Sequence, residues 1–516
     1  MLSEQRISRA TLWMSGGAVI RAGLALVAQM EIARLFGAGR DTDAYYIGLS
    51  VPQIIGDFLI GGVLFSAFIP VFVQTWKRDG EEQAWRMTSS LISIILIVLS
   101  ICSLLYAVLA GPILRWMAPG FDSEMHRVAV QMARVLTPLF LLFGFSFLGA
   151  GILQSYRHFT TPALAPIAFP IAVILSCWLL ADRLGIVSVA VGALVGAGVQ
   201  CGILWAVLWR NHRGIRLGWD WRHPGLRRVA RIMGPLAVGV IAINMNMIYQ
   251  RFIASAAEEG MVAALAFGTT FASLPLLLIL PLSRAIFPSL SAHDAEGKGD
   301  LFRDLLTRSL RWAGFVGIPI VGLLIVFREP FVRLLLQRGA FDCRDVAMVS
   351  QTLAILAVGT LFFSCNQLIA RSFYARGTSW VPMWLNIAAA GITLPLNNLL
   401  LGPLGIGGLA LARTCMFVIF FVGCLGLTSR FVTSLPWSDL ALAWGKMIVL
   451  GLGMAFVADL TYLHSEKIGL SSGGWGDAVR MIFGSLLGGA LFLGGAHLLK
   501  LREVREIWSA RPWARA

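Results

Sequence analysis

Charge is scarce in this chain: only 13% of its 516 residues are Asp, Glu, Lys or Arg, where a soluble domain carries about 25%. With 57% hydrophobic residues and a mean hydropathy of +0.77, an ordinary soluble protein is excluded. Long polar segments are missing too. The longest polar connection runs from about Arg210 to Arg231, shorter than the roughly 50 residues a folded domain needs, so the work of the protein is expected within a bilayer. The seven cysteines (Cys102, Cys177, Cys201, Cys343, Cys365, Cys415, Cys424) form no CxxC pair and read as small apolar residues rather than disulfides or metal ligands. The seven histidines lie in or near loops without metal-ligand spacing, so neither a metal nor another cofactor is expected. No GxxxxGK[ST] loop is present, Gly297-Lys298 being followed by Gly299, which argues against ATP hydrolysis. No Ser/His/Asp or paired-carboxylate constellation stands out, so the chain reads as a transporter and not an enzyme.

What the sequence has instead is a series of apolar runs of the length that crosses a bilayer core of about 30 Å as a helix. They place fourteen spans at about 10–36, 43–75, 88–113, 128–154, 162–182, 185–208, 228–254, 262–290, 308–327, 347–374, 382–401, 405–428, 438–462 and 479–499. The expected fold class is therefore an all-α polytopic membrane protein. With both termini inside, the inner segments hold 25 Lys and Arg and the outer ones 9, the bias that marks a cytoplasmic face. This bias accounts for much of the net charge of +15 without nucleic acid. One outer segment runs against it, because Arg328, Arg333, Arg338 and Arg344 lie close together there. Either an interfacial helix lets these arginines snorkel to headgroups, or they form an outward-facing site for anionic lipid.

The chain also repeats itself. Phe121-Asp122 and Phe341-Asp342 lie 220 residues apart, as do Leu184-Gly185-Ile186 and Leu404-Gly405-Ile406, while Pro70 and Tyr156 find Pro288 and Tyr374 at an offset of 218. A nearly constant offset kept in order defines a six-helix repeat. It divides the chain into an N-terminal lobe (1–215), a C-terminal lobe (216–430) and an appended pair of helices with a tail (431–516). Six helices return to their starting side, so the copies share one orientation, and transporters built this way place substrate at the interface of the halves.

Ionisable residues inside spans are costly, about 2.5–3.5 kcal/mol at a helix centre, and so mark cavities or partners. Span 1 carries Arg21, Gln29, Glu31 and Arg34, of which Arg21 lies deepest. Asp43, Ser50 and Asp57 recur every seven residues in span 2, with Gln53 and Gly61 beside them, a stripe that serves either helix packing or a pathway. Asn244 and Arg251 share a face of span 7. Ser364, Gln367 and Arg371 share one in span 10, and Arg284 and Arg413 lie in spans 8 and 12. Arg251, Arg284 and Arg371 lie near span ends, where snorkelling is the alternative. The excess of basic over acidic candidates fits an anionic substrate, since guanidinium suits carboxylate and phosphate.

Gly37-Ala38-Gly39, Thr42-Asp43-Ala44, Ser66-Ala67-Phe68 with Pro70, and Ala118-Pro119-Gly120-Phe121 resemble the N-terminal half of the MurJ (MviN) lipid II flippases. Pro162-Ala163 with Ala165-Pro166, Met233-Gly234-Pro235, Pro288-Ser289-Leu290-Ser291 and Phe373-Tyr374-Ala375-Arg376 continue the resemblance in order across spans 1 to 12. It implies fourteen helices, two six-helix lobes around a cationic cavity, and alternating access that carries an undecaprenyl-diphosphate glycan to the periplasmic face. It also implies the bacterial inner membrane, a lipid-linked diphosphate glycan and membrane lipids as partners, a monomer, and association with cell-envelope synthesis machinery. At the cavity this chain departs from the family. Gly56-Asp57 stands where the family has Arg-Arg, Gly61-Gly62 where it has Glu-Gly, Thr270 for an arginine of span 8, and Ala28-Gln29 for Arg-Asp. Arg21 falls within one position of a family arginine, and Asp43 matches the family aspartate. The alternatives are an exporter of another lipid-linked polysaccharide unit, with Arg251, Arg284 or Arg413 compensating, and a MATE-like drug or cation antiporter, which calls for an acidic cavity.

Overall fold

A computed structural model describes residues 2–58, 64–156, 158–211, 220, 222–465 and 475–508, and their regular structure is helical throughout. In order come α1 (Leu2–Phe36), α2 (Arg40–Phe58), α3 (Leu64–Asp79), α4 (Glu81–Met117), α5 (Ser123–Leu136), α6 (Leu139–Ser155), α7 (Thr160–Leu164), α8 (Ala168–Leu184), α9 (Val187–Asn211) and α10 (Pro224–Ala257). They are followed by α11 (Met261–Ala272), α12 (Leu276–Ala295), α13 (Gly299–Val326), α14 (Arg328–Leu336), α15 (Cys343–Ala375), α16 (Trp380–Leu404), α17 (Ile406–Phe431), α18 (Trp437–Ser465), α19 (Trp475–Leu498) and α20 (Arg502–Trp508). Prolines mark some of the joints, as a missing N–H and a clashing ring dictate: Pro138 opens α6 and Pro275 opens α12. Others, such as Pro52, Pro112 and Pro319, lie inside helices.

Met1–Ala263 and Ala264–Ala516 form two compact units. In the first, α2 packs on α5, α8 and α6 on α9, α1 on α8, and α10 on α3, with a core that includes Phe68, Phe72, Trp85 and Leu153. In the second, α15 is central, packed on α17, α13 and α12, while α18 joins α13 to α19. There Phe315, Ile318 and Val321 meet Ala443, Met447 and Phe492. The appended pair of spans is thus seated on α13. The faces it leaves outward carry Val449, Leu452, Phe456, Ile482 and Leu486, all more than half exposed, the large apolar surface that acyl chains and not water would cover.

The fourteen expected spans fall mainly on helix among the described residues, with turns inside the fourth and eighth at 137–138 and 273–275 and with residues 59–63 of the second not described. Among the described residues, ten helical stretches are long and apolar enough to cross a membrane. The other four expected spans are the first, second, seventh and eighth, on α1, α2 with α3, α10, and α11 with α12. They are the same two positions in each copy of the repeat, and they are where the sequence concentrates Arg21, Glu31, Asp43, Asn244 and Arg251.

Local structure explains the repeated residues. Asp122 caps α5 by accepting from the Glu124 and Met125 amides, and Asp342 caps α15 by accepting from Asp345, each satisfying amides that a helix start leaves unpaired. Gly185 and Gly405 end α8 and α16 with φ of 53° and 56°, a left-handed conformation that favours glycine. The corners after α6 and α15 are held by different residues. Tyr156 donates to Glu81 Oε1 at 2.6 Å and accepts from Trp85 Nε1, whereas Arg376 pairs with Asp294 at 2.8 Å. Burial and the neighbouring Glu81 carboxylate raise the Tyr156 hydroxyl pKa above its ordinary value.

Candidate functional site

The polar helices α1, α2 and α10 meet through side chains. Tyr46 on α2 donates to Gln29 Oε1 on α1 at 2.6 Å, and Tyr106 on α4 donates to the Gly48 carbonyl at 2.9 Å. Arg251, buried on α10, reaches across to α2, where it donates to the Tyr46 carbonyl at 3.2 Å, to Gln53 Oε1 at 3.2 Å and to Ser50 Oγ. A buried guanidinium needs such acceptors to offset its desolvation. Arg251 therefore ties α10 to the same α2 stripe that the sequence shows as Asp43, Ser50 and Gln53. Asp43 is 1% exposed, and its two carboxylate oxygens accept from the Gly260 and Ala263 amides at 2.8 and 2.7 Å, capping the start of α11. Asn244 is buried and donates to the Val240 carbonyl one turn back.

Arg21 differs, because it is exposed. Helix α1 has 35 residues, roughly 52 Å of helix, and Arg21 lies roughly 22 Å from its Phe36 end. An exposed cation at that depth is stabilised where water, a headgroup, an anionic ligand or a neighbouring protein group reaches it.

In the second unit, Gln367 and Arg371 are half-buried one turn apart on α15. The Arg371 guanidinium lies 5.7 Å from the Phe287 ring centroid, a cation–π approach from α15 to α12. Arg413 on α17 donates to Thr269 Oγ1 on α11 at 3.2 Å, beside Thr270. The side chains of Asp57 and Arg284 lie outside the described residues, as do Gly61 and Gly62. So do Arg157, Arg213, Arg216, Lys467, Arg511 and Arg515 among the basic residues used for topology.

The sequence reading missed one cluster altogether. Arg311 on α13 makes a two-pronged ion pair with Glu503 on α20, at 2.5 and 3.2 Å, and a third bond to Asp439 on α18 at 3.0 Å. Trp312 Nε1 and Arg308 both reach Glu506, at 2.8 and 3.0 Å. The tail segment R-E-V-R-E-I-W had the necessary signal, with acids at 503 and 506 on one helical face and Val504 beside them. Among the described residues no three His, Cys, Asp or Glu side chains gather as a metal would require.

Ten apolar spans among the described residues, two helical units and cations inside the polar spans define a polytopic membrane transporter. The chain matches the lipid II flippase MurJ family over residues 32–471, and it belongs to that family. A lipid II flippase MurJ from Burkholderia cenocepacia is 25% identical over 413 residues, 78% of this chain and 80% of that protein. The fold is similar to that of a solved lipid II flippase MurJ in an inward closed conformation, with a TM-score of 0.77 and 21% identity over 93% of this chain and 98% of that one. It is also similar to an inward-facing multidrug resistance MATE family transporter of the MOP superfamily, with a TM-score of 0.69 and 18% identity over 82% of this chain and 99% of that one.

Proposed function

We propose that this chain moves a lipid-linked glycan precursor, lipid II or a similar undecaprenyl-diphosphate saccharide, from the cytoplasmic to the periplasmic leaflet of a bacterial inner membrane by alternating access. The observation that carries this reading is the family match across residues 32–471. In it, Arg21, Arg371 and Arg413 are the cations that meet the diphosphate, with Gln367 a neighbouring donor and Arg284 and Asp57 on the same pathway. Guanidinium suits a diphosphate because its planar fork donates in pairs to phosphate oxygens. Asp43, Asn244 and Arg251 act through the helices they hold. The reading has both termini in the cytoplasm, a monomer working beside cell-envelope synthesis machinery, and no cofactor or ATP hydrolysis.

A second reading, export of another lipid-linked polysaccharide unit, is favoured by Gly56-Asp57 standing where the family has two arginines. A MATE-like antiporter ranks below both, because the candidates are mainly basic. Complementation of a strain depleted of its lipid II flippase separates them. Rescue by the wild type, lost in R21A and R371A at equal membrane abundance, supports lipid II. Failure of a correctly inserted wild type to lower the accumulated lipid II overturns it.

A further inference from the structure

The arginine-rich segment from Arg328 to Arg344 has surroundings of its own. It begins where the span Gly299–Val326 ends and stops where the span Cys343–Ala375 begins, so it lies at the level where a membrane changes from hydrocarbon to headgroup. There α14 and the first turns of α15 border a cavity of about 390 Å³, within the range of about 300–1,000 Å³ typical of small-molecule sites. None of the transport candidates lines it.

Its walls are of two kinds. Arg328, Ser350 and Gln351 supply polar groups, while Val346, itself only 4% exposed, with Ala347, Ala354 and Ile355 makes up an apolar strip on α15 roughly 14 Å long at 1.5 Å per residue. Glu329 also lines the cavity, but its carboxylate is paired with Arg333. Arg328 gives one hydrogen bond to the Ile325 carbonyl, and Arg338 gives one to the Leu334 carbonyl, both neutral acceptors. A cation beside an apolar strip at headgroup depth matches the two ends of a lipid: a phosphodiester anion and the start of an acyl chain. A free anion would gain nothing from the strip. A zwitterionic lipid would gain less from the excess of arginine.

We infer that this cavity holds an anionic phospholipid by its phosphate, with Arg328 as the charge partner and the Val346–Ile355 strip against the first part of an acyl chain. This lipid is bound to the protein's surface and is separate from the cargo, so the inference stands whichever glycan is carried.

The site contains its own reporter. Cys343 lines the cavity and is exposed, whereas the other six cysteines are buried or half-buried. The test measures the rate at which N-ethylmaleimide labels Cys343 in the purified full-length protein, read by peptide mass spectrometry. Short-chain phosphatidylglycerol, short-chain phosphatidylcholine and inorganic phosphate are compared at matched ionic strength. Phosphatidylglycerol is expected to slow labelling at least threefold, and the other two to leave it unchanged. In R328Q the ratio of rates with and without phosphatidylglycerol falls to one. Equal protection by phosphatidylcholine, equal protection by inorganic phosphate, or undiminished protection in R328Q overturns the inference. The comparison of the three additives on the wild type decides the matter even where R328Q does not fold.

Discussion

Helix α20 is held to α13 by the Arg311–Glu503 pair, by the bonds of Arg308 and Trp312 to Glu506 and by the buried Val504, and Glu503→Gln tests how much the first contributes. The two side chains are 7% and 3% exposed, while Asp439, the other acid on Arg311, is 39% exposed. The substitution keeps the shape of residue 503 and removes its charge, leaving a buried guanidinium with Asp439 alone. Removing one partner of a buried pair costs about 3–5 kcal/mol, and because Asp439 remains, the lower end, about 3 kcal/mol, applies here. This is local stability, so it is read locally. Hydrogen exchange of the α20 amides, which opens by detachment of the helix, should accelerate roughly 100-fold, since each 1.4 kcal/mol is a factor of ten. Asp439→Asn disturbs a pair that solvent already screens and should cost less than about 1 kcal/mol. Arg311→Met combined with Glu503→Leu leaves no unpaired charge and should exchange more slowly than E503Q alone. If α20 exchange in E503Q stays within threefold of wild type, or if D439N loosens α20 as much as E503Q does, the reasoning is refuted.

Four further outcomes follow from the geometry. A Cβ at Gly120 would lie 2.1 Å from the Ser255 carbonyl oxygen and 2.5 Å from Ala256 Cα, whereas one at Gly111 meets nothing within 4 Å. Gly120→Ala should therefore lower the melting temperature in detergent, at a cost of about 1–3 kcal/mol, and Gly111→Ala should not. Asp122→Ala and Asp342→Ala each remove a helix cap worth about 1 kcal/mol, and D122A should melt lower because Asp122 also pairs with Arg40. Arg251→Ala should be less stable than wild type by at least about 2 kcal/mol, from buried acceptors on α2 losing their donor. Arg21→Ala should melt like wild type and yet fail in complementation, so a melting loss in R21A equal to that in R251A would remove Arg21 from the substrate path.

Apolar runs made the helices legible because a bilayer demands about twenty apolar residues at a stretch, whatever the tertiary contacts. The joints within spans 4 and 8 were not legible in the same way. Pro138 and Pro275 break helices, while Pro52 and Pro319 are accommodated inside them, and which outcome holds depends on neighbours that satisfy the freed carbonyls. Partners far apart in the chain were the least legible. Arg251 reads as a residue near a span end, but its acceptors lie about 200 positions earlier on α2. Arg311 reads as one more positive-inside charge, but its partner is in the tail. The repeat, by contrast, was visible because its matched residues have local backbone roles, the caps of Asp122 and Asp342 and the left-handed turns of Gly185 and Gly405.

The central claim is that the chain carries a lipid-linked diphosphate glycan across the membrane. Its most direct test is the fraction of lipid II exposed on the outer leaflet of cells depleted of their own flippase and supplied with this chain. The account predicts that the exposed fraction returns to the undepleted level with wild type and stays at the depleted level with R21A. Lipid II that remains confined to the inner leaflet while the wild-type protein is correctly inserted would contradict it.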